Sequence, residues 1–198
     1  MGAYTYITPY YKGSMETSTI AGYRWNYDTS VSTYGSNNWT TSEFNTINLN
    51  TNYWNYLGTT WRLGGMTSNS YTAKVFYDGE RNNAGYGSNP TTYNDEIGLM
   101  YPSDYGYAAS PEAWITYLYD YESSAITSNN WMYMGLWEWT IIPHLLFSYS
   151  VFFVYNYGSL NINGAYSGSA ARPVFYLESN VQLEGGNGTS SDPYRLAV

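Results

Sequence analysis

Apolar residues along this chain gather into short clusters separated by Gly, Asn, Ser and Thr. Few clusters are long enough for an extended helix. Tyr4-Thr5-Tyr6-Ile7 alternates in the manner of a strand, and residues 1–39 read as that strand followed by irregular loops. Thr40 and Glu43 form a capping-box pattern ahead of Phe44, Ile47 and Leu49, so one or two short helices are predicted between 41 and 57, with Gly58 as their stop. Trp61-Arg62-Leu63 and residues 73–77 read as strands, 78–92 as a Gly- and Asn-rich loop, and 97–101 as a buried strand. Ser110-Pro111-Glu112 is a helix start, with a cap, a first-turn Pro and an acid at the positive end of the dipole. The helix it opens carries Trp114, Ile115, Leu118 and Tyr121, mostly toward the core, and ends near Glu122. Residues 129–135 form a turn region. Residues 137–141, 151–155 and 173–177 read as strands, and 181–183 as a further short one. Two helices among short mixed or antiparallel strands and long loops make an α+β chain. With no internal repeat and no linker, residues 1–198 are expected to form a single domain, of which 1–39 is the least regular part.

One segment departs from the rest. Residues 141–171 contain no charged side chain and no Gln, Met or Trp. Lys, Glu, Gln, Met and Trp make up 26 of the 198 residues, so about four are expected in 31 positions and none occurs. Every residue type present can be encoded by a codon ending in C with any first two bases. That is the set reached when both adenines of an AAC codon are replaced at random. The segment therefore has the composition of a varied binding surface on a fixed scaffold. Alternation in 151–155 puts Val151, Phe153 and Tyr155 on one side and Phe152 and Val154 on the other, with one side expected in the core and the other partly displayed. Residues 143–150 and 156–170 would then be flanking loops. Leu145-Leu146-Phe147 on such a loop forms an apolar patch ringed by Tyr, the kind of surface that marks an interaction site. The competing possibility is that the three turn inward as ordinary core.

The flanks of this segment carry a resemblance. Trp139-Thr140-Ile141 with Pro143, Val151-Phe152 with Val154, Gly158, and the closing Arg172-Pro173-Val174-Phe175-Tyr176-Leu177 resemble the variable proteins of diversity-generating retroelements. They are most similar to a family of gut bacteria in which the varied domain is displayed on the cell surface. Ile97-Gly98-Leu99-Met100-Tyr101-Pro102-Ser103-Asp104-Tyr105-Gly106-Tyr107-Ala108 is similar to the same family, as is the tail from Ser179-Asn180-Val181 through Gly185-Gly186-Asn187-Gly188-Thr189 to Asp192-Pro193-Tyr194. The likeness extends over roughly residues 40–198. The family pattern usually has Ser where this chain has Ile142, Leu145 and Gly168, and Val where it has Ala171. The resemblance implies a C-type-lectin-like fold whose varied residues bind ligands. On that frame the variable positions are His144, Leu146, Phe147, Tyr149, Ser150, Phe153, Tyr155, Asn156, Tyr157, Asn161, Ile162, Asn163, Gly164, Tyr166, Ser167 and Ser169. Val151, Phe152, Val154, Gly158, Leu160 and Ala165 are the scaffold between them.

Composition narrows the functional classes. A net charge of −8 disfavours nucleic acid and anionic membrane surfaces, which need basic patches. The 26 tyrosines suit recognition, since Tyr joins a large contact area to a polar handle, although most are expected to build the scaffold. No Cys is present, which removes disulfides, thiolate metal sites and a Cys nucleophile. No stretch approaches 18 apolar residues, and the N-terminal residues lack the basic and apolar regions of a signal peptide. Relatives in the resembled family commonly carry an N-terminal anchor, so the resemblance implies a displayed domain, at the cell surface or extracellular, without its anchor. His144 is the sole histidine and has no visible catalytic or metal-binding partner, so it reads as a varied surface residue. The Glu-Pro-Asn or Gln-Pro-Asp and Trp-Asn-Asp motifs of calcium-dependent lectins are missing, and Tyr93-Asn94-Asp95-Glu96 reads as a solvated turn. Asp95, Glu96, Asp104 and Glu112 supply carboxylates but no fixed pair for glycoside hydrolysis. Gly185-Gly186-Asn187-Gly188 lacks the Lys that follows in a phosphate loop.

The expectation is a non-enzymatic binding domain with no cofactor and no metal, whose partner is a protein or peptide rather than a glycan. A fixed carbohydrate-binding adhesin is the alternative. An enzyme related to the formylglycine-generating enzymes, which share the fold, is the least favoured because their cysteine chemistry is absent.

Overall fold

The computed structural model describes residues 11–15, 18–26, 28–42, 44–46, 58–189 and 191–197. It is a mixed α+β structure with few helices and several short strands in small sheets. Buried hydrophobic side chains from Trp25 to Ala165 form one continuous cluster.

At its centre is an antiparallel sheet of three strands: β6 (Glu138–Pro143), β7 (Ser150–Val154) and β8 (Leu160–Gly164), in that order. Ser150 lies opposite Gly164 and Val154 opposite Leu160. Every residue of β7 is buried. The Phe76 ring meets Phe152 edge-on from one side at 5.3 Å, while Trp139 and Trp137 cover Phe153 from the other. The alternation in this strand therefore does not separate a core face from a displayed one. A central strand covered on both faces is apolar on both.

Strand β6 bulges between Trp139 and Pro143. There the Thr140 hydroxyl donates to the Phe152 carbonyl (2.7 Å), and the Ile141 N–H turns away to Met100 O (3.1 Å). This second bond ties the sheet to the segment after β5 (Ile97–Leu99), which pairs with β10 (Pro173–Phe175). Around this centre lie β1 (Tyr11–Met15) with β2 (Ser18–Arg24), β3 (Thr59–Arg62) with β4 (Thr92–Asp95), β9 (Gly168–Ser169) against β2, and β11 (Gln182–Gly185) with β12 (Arg195–Ala197). Thus Tyr93 to Asp95, expected as a solvated turn, belong to a ladder opposite β3.

Several local expectations change. The strand expected at 73–77 is helix α1 (Ala73–Glu80). Thr72 caps it by accepting from Val75 N, and Ala73, Phe76 and Glu80 bury one face at helical spacing. The long helix expected after Ser110 is replaced by two 3-10 turns, Pro111–Ala113 and Leu118–Asp120. Tertiary bonds draw its groups elsewhere: Leu118 N donates to Tyr71 O (2.8 Å), and the buried Tyr121 hydroxyl donates to Ala113 O (3.0 Å). Trp114 and Ile115, expected mostly inward, are exposed. Helices α2 (Pro102–Tyr107) and α3 (Ser124–Thr127) are short. Asn38 opens the Trp39–Thr41 turn, its side chain accepting from Thr40 N; the capping box expected of Thr40 and Glu43 rests on a residue outside the described ones. Glu43 itself, Ile47, Leu49 and the rest of the expected 47–57 helical stretch lie outside the described residues, as do Tyr4 to Ile7. Residues 160–164, expected within a loop, form β8.

Glu80 is fully buried at the C-terminal end of α1. It accepts from Ser103 N (2.8 Å), Ser103 Oγ (2.5 Å) and Arg81 Nη1 (2.9 Å). Desolvation outweighs these donors and raises its pKa to about 7. The folded state then holds a proton that the unfolded chain releases above about 4.5, so this contribution to stability is present at low pH and lost as pH rises from about 4.5 to about 7. Asp95, also raised to about 7 by burial, acts in the same direction. Glu80→Gln is expected to flatten the decline in stability across that window, by roughly 3 kcal/mol relative to the unmodified chain. Urea unfolding at a series of pH values checks this; parallel curves for the two proteins would refute it.

Candidate ligand-binding face

The uncharged segment 141–171 begins and ends at one place. Glu138, just before it on β6, is joined to Arg172, just after it, by a bidentate ion pair (Nε–Oε1 2.7 Å, Nη2–Oε2 2.8 Å). Arg172 Nη2 also donates to Met132 O (2.7 Å). Trp139 N donates to Ala170 O and Ala170 N to Trp137 O, so the two flanks lie side by side in a short parallel bridge. Burial raises the Glu138 pKa, and the Arg172 guanidinium pulls against that rise.

The loop between β6 and β7 projects Leu146 and Phe147, which are 60% and 42% exposed. Its backbone is held from behind. Asn37 Nδ2 lies within donor reach of three loop carbonyls, those of His144 (2.9 Å), Phe147 (2.8 Å) and Ser150 (3.2 Å). Asn37 N donates to Ser148 O, and Asn89 Nδ2 steadies Asn37 Oδ1. His144 is buried, contrary to the surface position expected of it. Leu146 N donates to His144 Nδ1 (3.2 Å), which makes Nε2 the protonated nitrogen facing Thr67 O (3.1 Å). Desolvation lowers the His144 pKa and favours this neutral ring. Phe147 stacks on it at 5.2 Å.

The sixteen positions expected to vary do not form one face. The first group sits where β7 begins and β8 ends. Leu146, Phe147 and Tyr149 are joined there by Tyr34, whose ring lies 5.2 Å from that of Tyr149. Gly164 packs against Tyr34, Tyr166 N donates to Tyr34 O, and Arg24 lies over the Tyr166 ring at 3.7 Å. Asn163 Oδ1 accepts from Ser167 Oγ in the same turn. The second group sits at the other end of β7, roughly 13 Å away at the rise of an extended strand. Tyr155 and Tyr157 stack there at 4.6 Å, beside Trp137. Asn156 Oδ1 accepts from Trp137 Nε1 (3.0 Å), and Asn156 O from the Tyr133 hydroxyl (2.7 Å). Gly158 turns this corner at φ +106°; a Cβ there would lie 2.5 Å from Thr127 Cγ2.

Between the groups, Asn161 lies opposite Phe153, and Ile162 lies opposite Phe152 and packs against the core. Phe153, Ser150 and Ser169 are buried, so their side chains support the surface rather than form it. Tyr34, Asn37 and Asn89 were not legible as parts of the site, because they lie 50 to more than 100 residues away along the chain and no local pattern marks them. Among the described residues, no three His, Asp or Glu side chains gather closely enough to hold a metal ion. No helix among them is long and apolar enough to cross a membrane. Comparison of the chain with protein-family models, with curated proteins and with solved structures finds no match.

Stability measurements separate surface from support. Leu146→Ser is expected to change unfolding free energy by less than about 0.5 kcal/mol. Phe152→Ala should cost about 3–5 kcal/mol, and Asn37→Ala about 1–3 kcal/mol through orphaned loop carbonyls. A Leu146→Ser variant as destabilised as Phe152→Ala would place Leu146 in the core.

Proposed function

We propose that this chain is a non-enzymatic ligand-binding domain of C-type-lectin-like architecture, displayed at the cell surface and diversified by a retroelement. One observation carries the reading. A 31-residue segment free of charge is gripped at both ends by Glu138 and Arg172, yet it exposes Leu146, Phe147 and Tyr157. The clamp and the buried β7 keep the backbone in place while loop side chains change, so specificity can vary with little ordering cost on binding. Exposed aliphatic and aromatic side chains next to Tyr suit a protein or peptide ligand, in which they act as anchors.

The stacked pair Tyr155 and Tyr157 favours a second reading, a carbohydrate-binding adhesin, because paired aromatic faces can stack on sugar rings. Parallel glycan and protein-interaction screens distinguish the two.

Codon-level sequencing of the gene across one natural population tests the diversification. Substitutions should concentrate in codons 141–171, at exposed positions such as Leu146, Phe147 and Tyr157, and should replace adenines of a nearby template copy. Codons for Phe152 and Leu160, both fully buried, should stay constant. Variation spread evenly along the gene would count against a retroelement and favour a fixed adhesin.

A further inference from the structure

An open cleft of about 430 Å³ lies between helix α2, residues 131–132 and the start of β10. None of the sixteen variable positions lines it, so it is independent of the face described above. Its walls carry three aromatic rings, those of Tyr107, Trp131 and Tyr176. Two are braced from outside the cleft: Tyr107 meets Trp114 edge-on at 5.2 Å, and Tyr176 leans on Trp61 at 5.3 Å. Trp131 is 77% exposed and forms the rim. Met100 and Val174 contribute apolar surface.

Two charged side chains complete the lining, and they differ in kind. Arg172 is already engaged by both carboxylate oxygens of Glu138 and by Met132 O, so its charge is neutralised where it stands. Asp104 has no such partner. Among the described residues its carboxylate accepts one long bond, from Tyr101 N at 3.4 Å. Burial pushes its pKa up, and neither that bond nor nearby Arg81, itself paired with Glu80, reverses the rise. The cleft thus presents aromatic faces around one under-compensated carboxylate.

We propose that this cleft binds an organic ammonium group, with the cation against Asp104 and between the rings of Trp131, Tyr107 and Tyr176. Aromatic faces attract cations through their quadrupoles, most strongly where water is excluded, and Asp104 supplies the countercharge. A neutral sugar fits less well, since most of the lining that its many hydroxyls would meet is Met, Val and aromatic ring carbon. The ammonium can belong to a free amine or to a methylated lysine side chain, because both present the same head to the cleft.

Calorimetric titration of the whole chain with choline, with its uncharged isostere 3,3-dimethylbutan-1-ol and with a short trimethyllysine peptide tests the proposal. Saturable choline binding is expected, about tenfold tighter than that of the isostere, and weakened about tenfold by Asp104→Asn and by Trp131→Ala. Tighter binding of the peptide than of choline would assign the head group to a protein partner, and the reverse to a free amine. Trp131 is exposed, so its variant keeps the fold, and circular dichroism verifies both variants. Equal binding of choline and the isostere, no saturable binding of either cation, or unchanged affinity in folded Asp104→Asn would overturn it.

Discussion

The ion pair between Glu138 and Arg172 is the constraint on which the rest of the architecture depends. It joins the residue that enters the uncharged segment to the residue that leaves it. Everything between is thereby a closed excursion from one point of the scaffold. Closing a loop of this length carries an entropic cost that grows only slowly with length, so a clamp at the base tolerates changes inside the loop. A largely buried pair of this kind is a poor source of net stability, because desolvation offsets its attraction. Its geometric consequence matters more. A bidentate guanidinium–carboxylate contact permits one orientation of the two flanks, and the parallel bridge of Glu138 and Ala170 fixes their register.

Inside the clamp the segment combines a fully buried strand with partly exposed loops. Strand β7 must be apolar on both sides to sit under Phe76 and under Trp139. The loops at its two ends are free to differ, since Asn37 and the Gly158 turn hold their backbones without using the exposed side chains. Support has therefore been moved off the segment and onto distant residues. His144 belongs with the support: its neutral ring, bonded at both nitrogens, forms the platform on which Phe147 lies.

The cleft beside α2 shares Arg172 with the clamp but none of the loop positions. Because Glu138 already neutralises Arg172, the field within the cleft is set by Asp104. The two candidate surfaces are accordingly different in chemistry, one uncharged and apolar, the other aromatic with a single acid.

Residue types alone determined the α+β content, the uncharged character of 141–171 and the strands near Trp61, Ile97, Trp139 and Phe152, because aromatic and β-branched clusters between Gly and Asn leave few other choices. Local pattern could not decide 73–80, where five residues fit a strand and eight fit a helix once Thr72 caps it. It could not foresee that bonds from Tyr121 to Ala113 and from Leu118 to Tyr71 would break the helix expected after Ser110. Which of the positions expected to vary are displayed was likewise decided only by the tertiary structure. A strand's alternation says that neighbouring side chains point opposite ways, but whether each side meets solvent or another layer depends on residues far along the chain. Here Phe76, Trp137 and Trp139 supply those layers, burying Phe153 and leaving Leu146, Phe147 and Tyr157 at the surface.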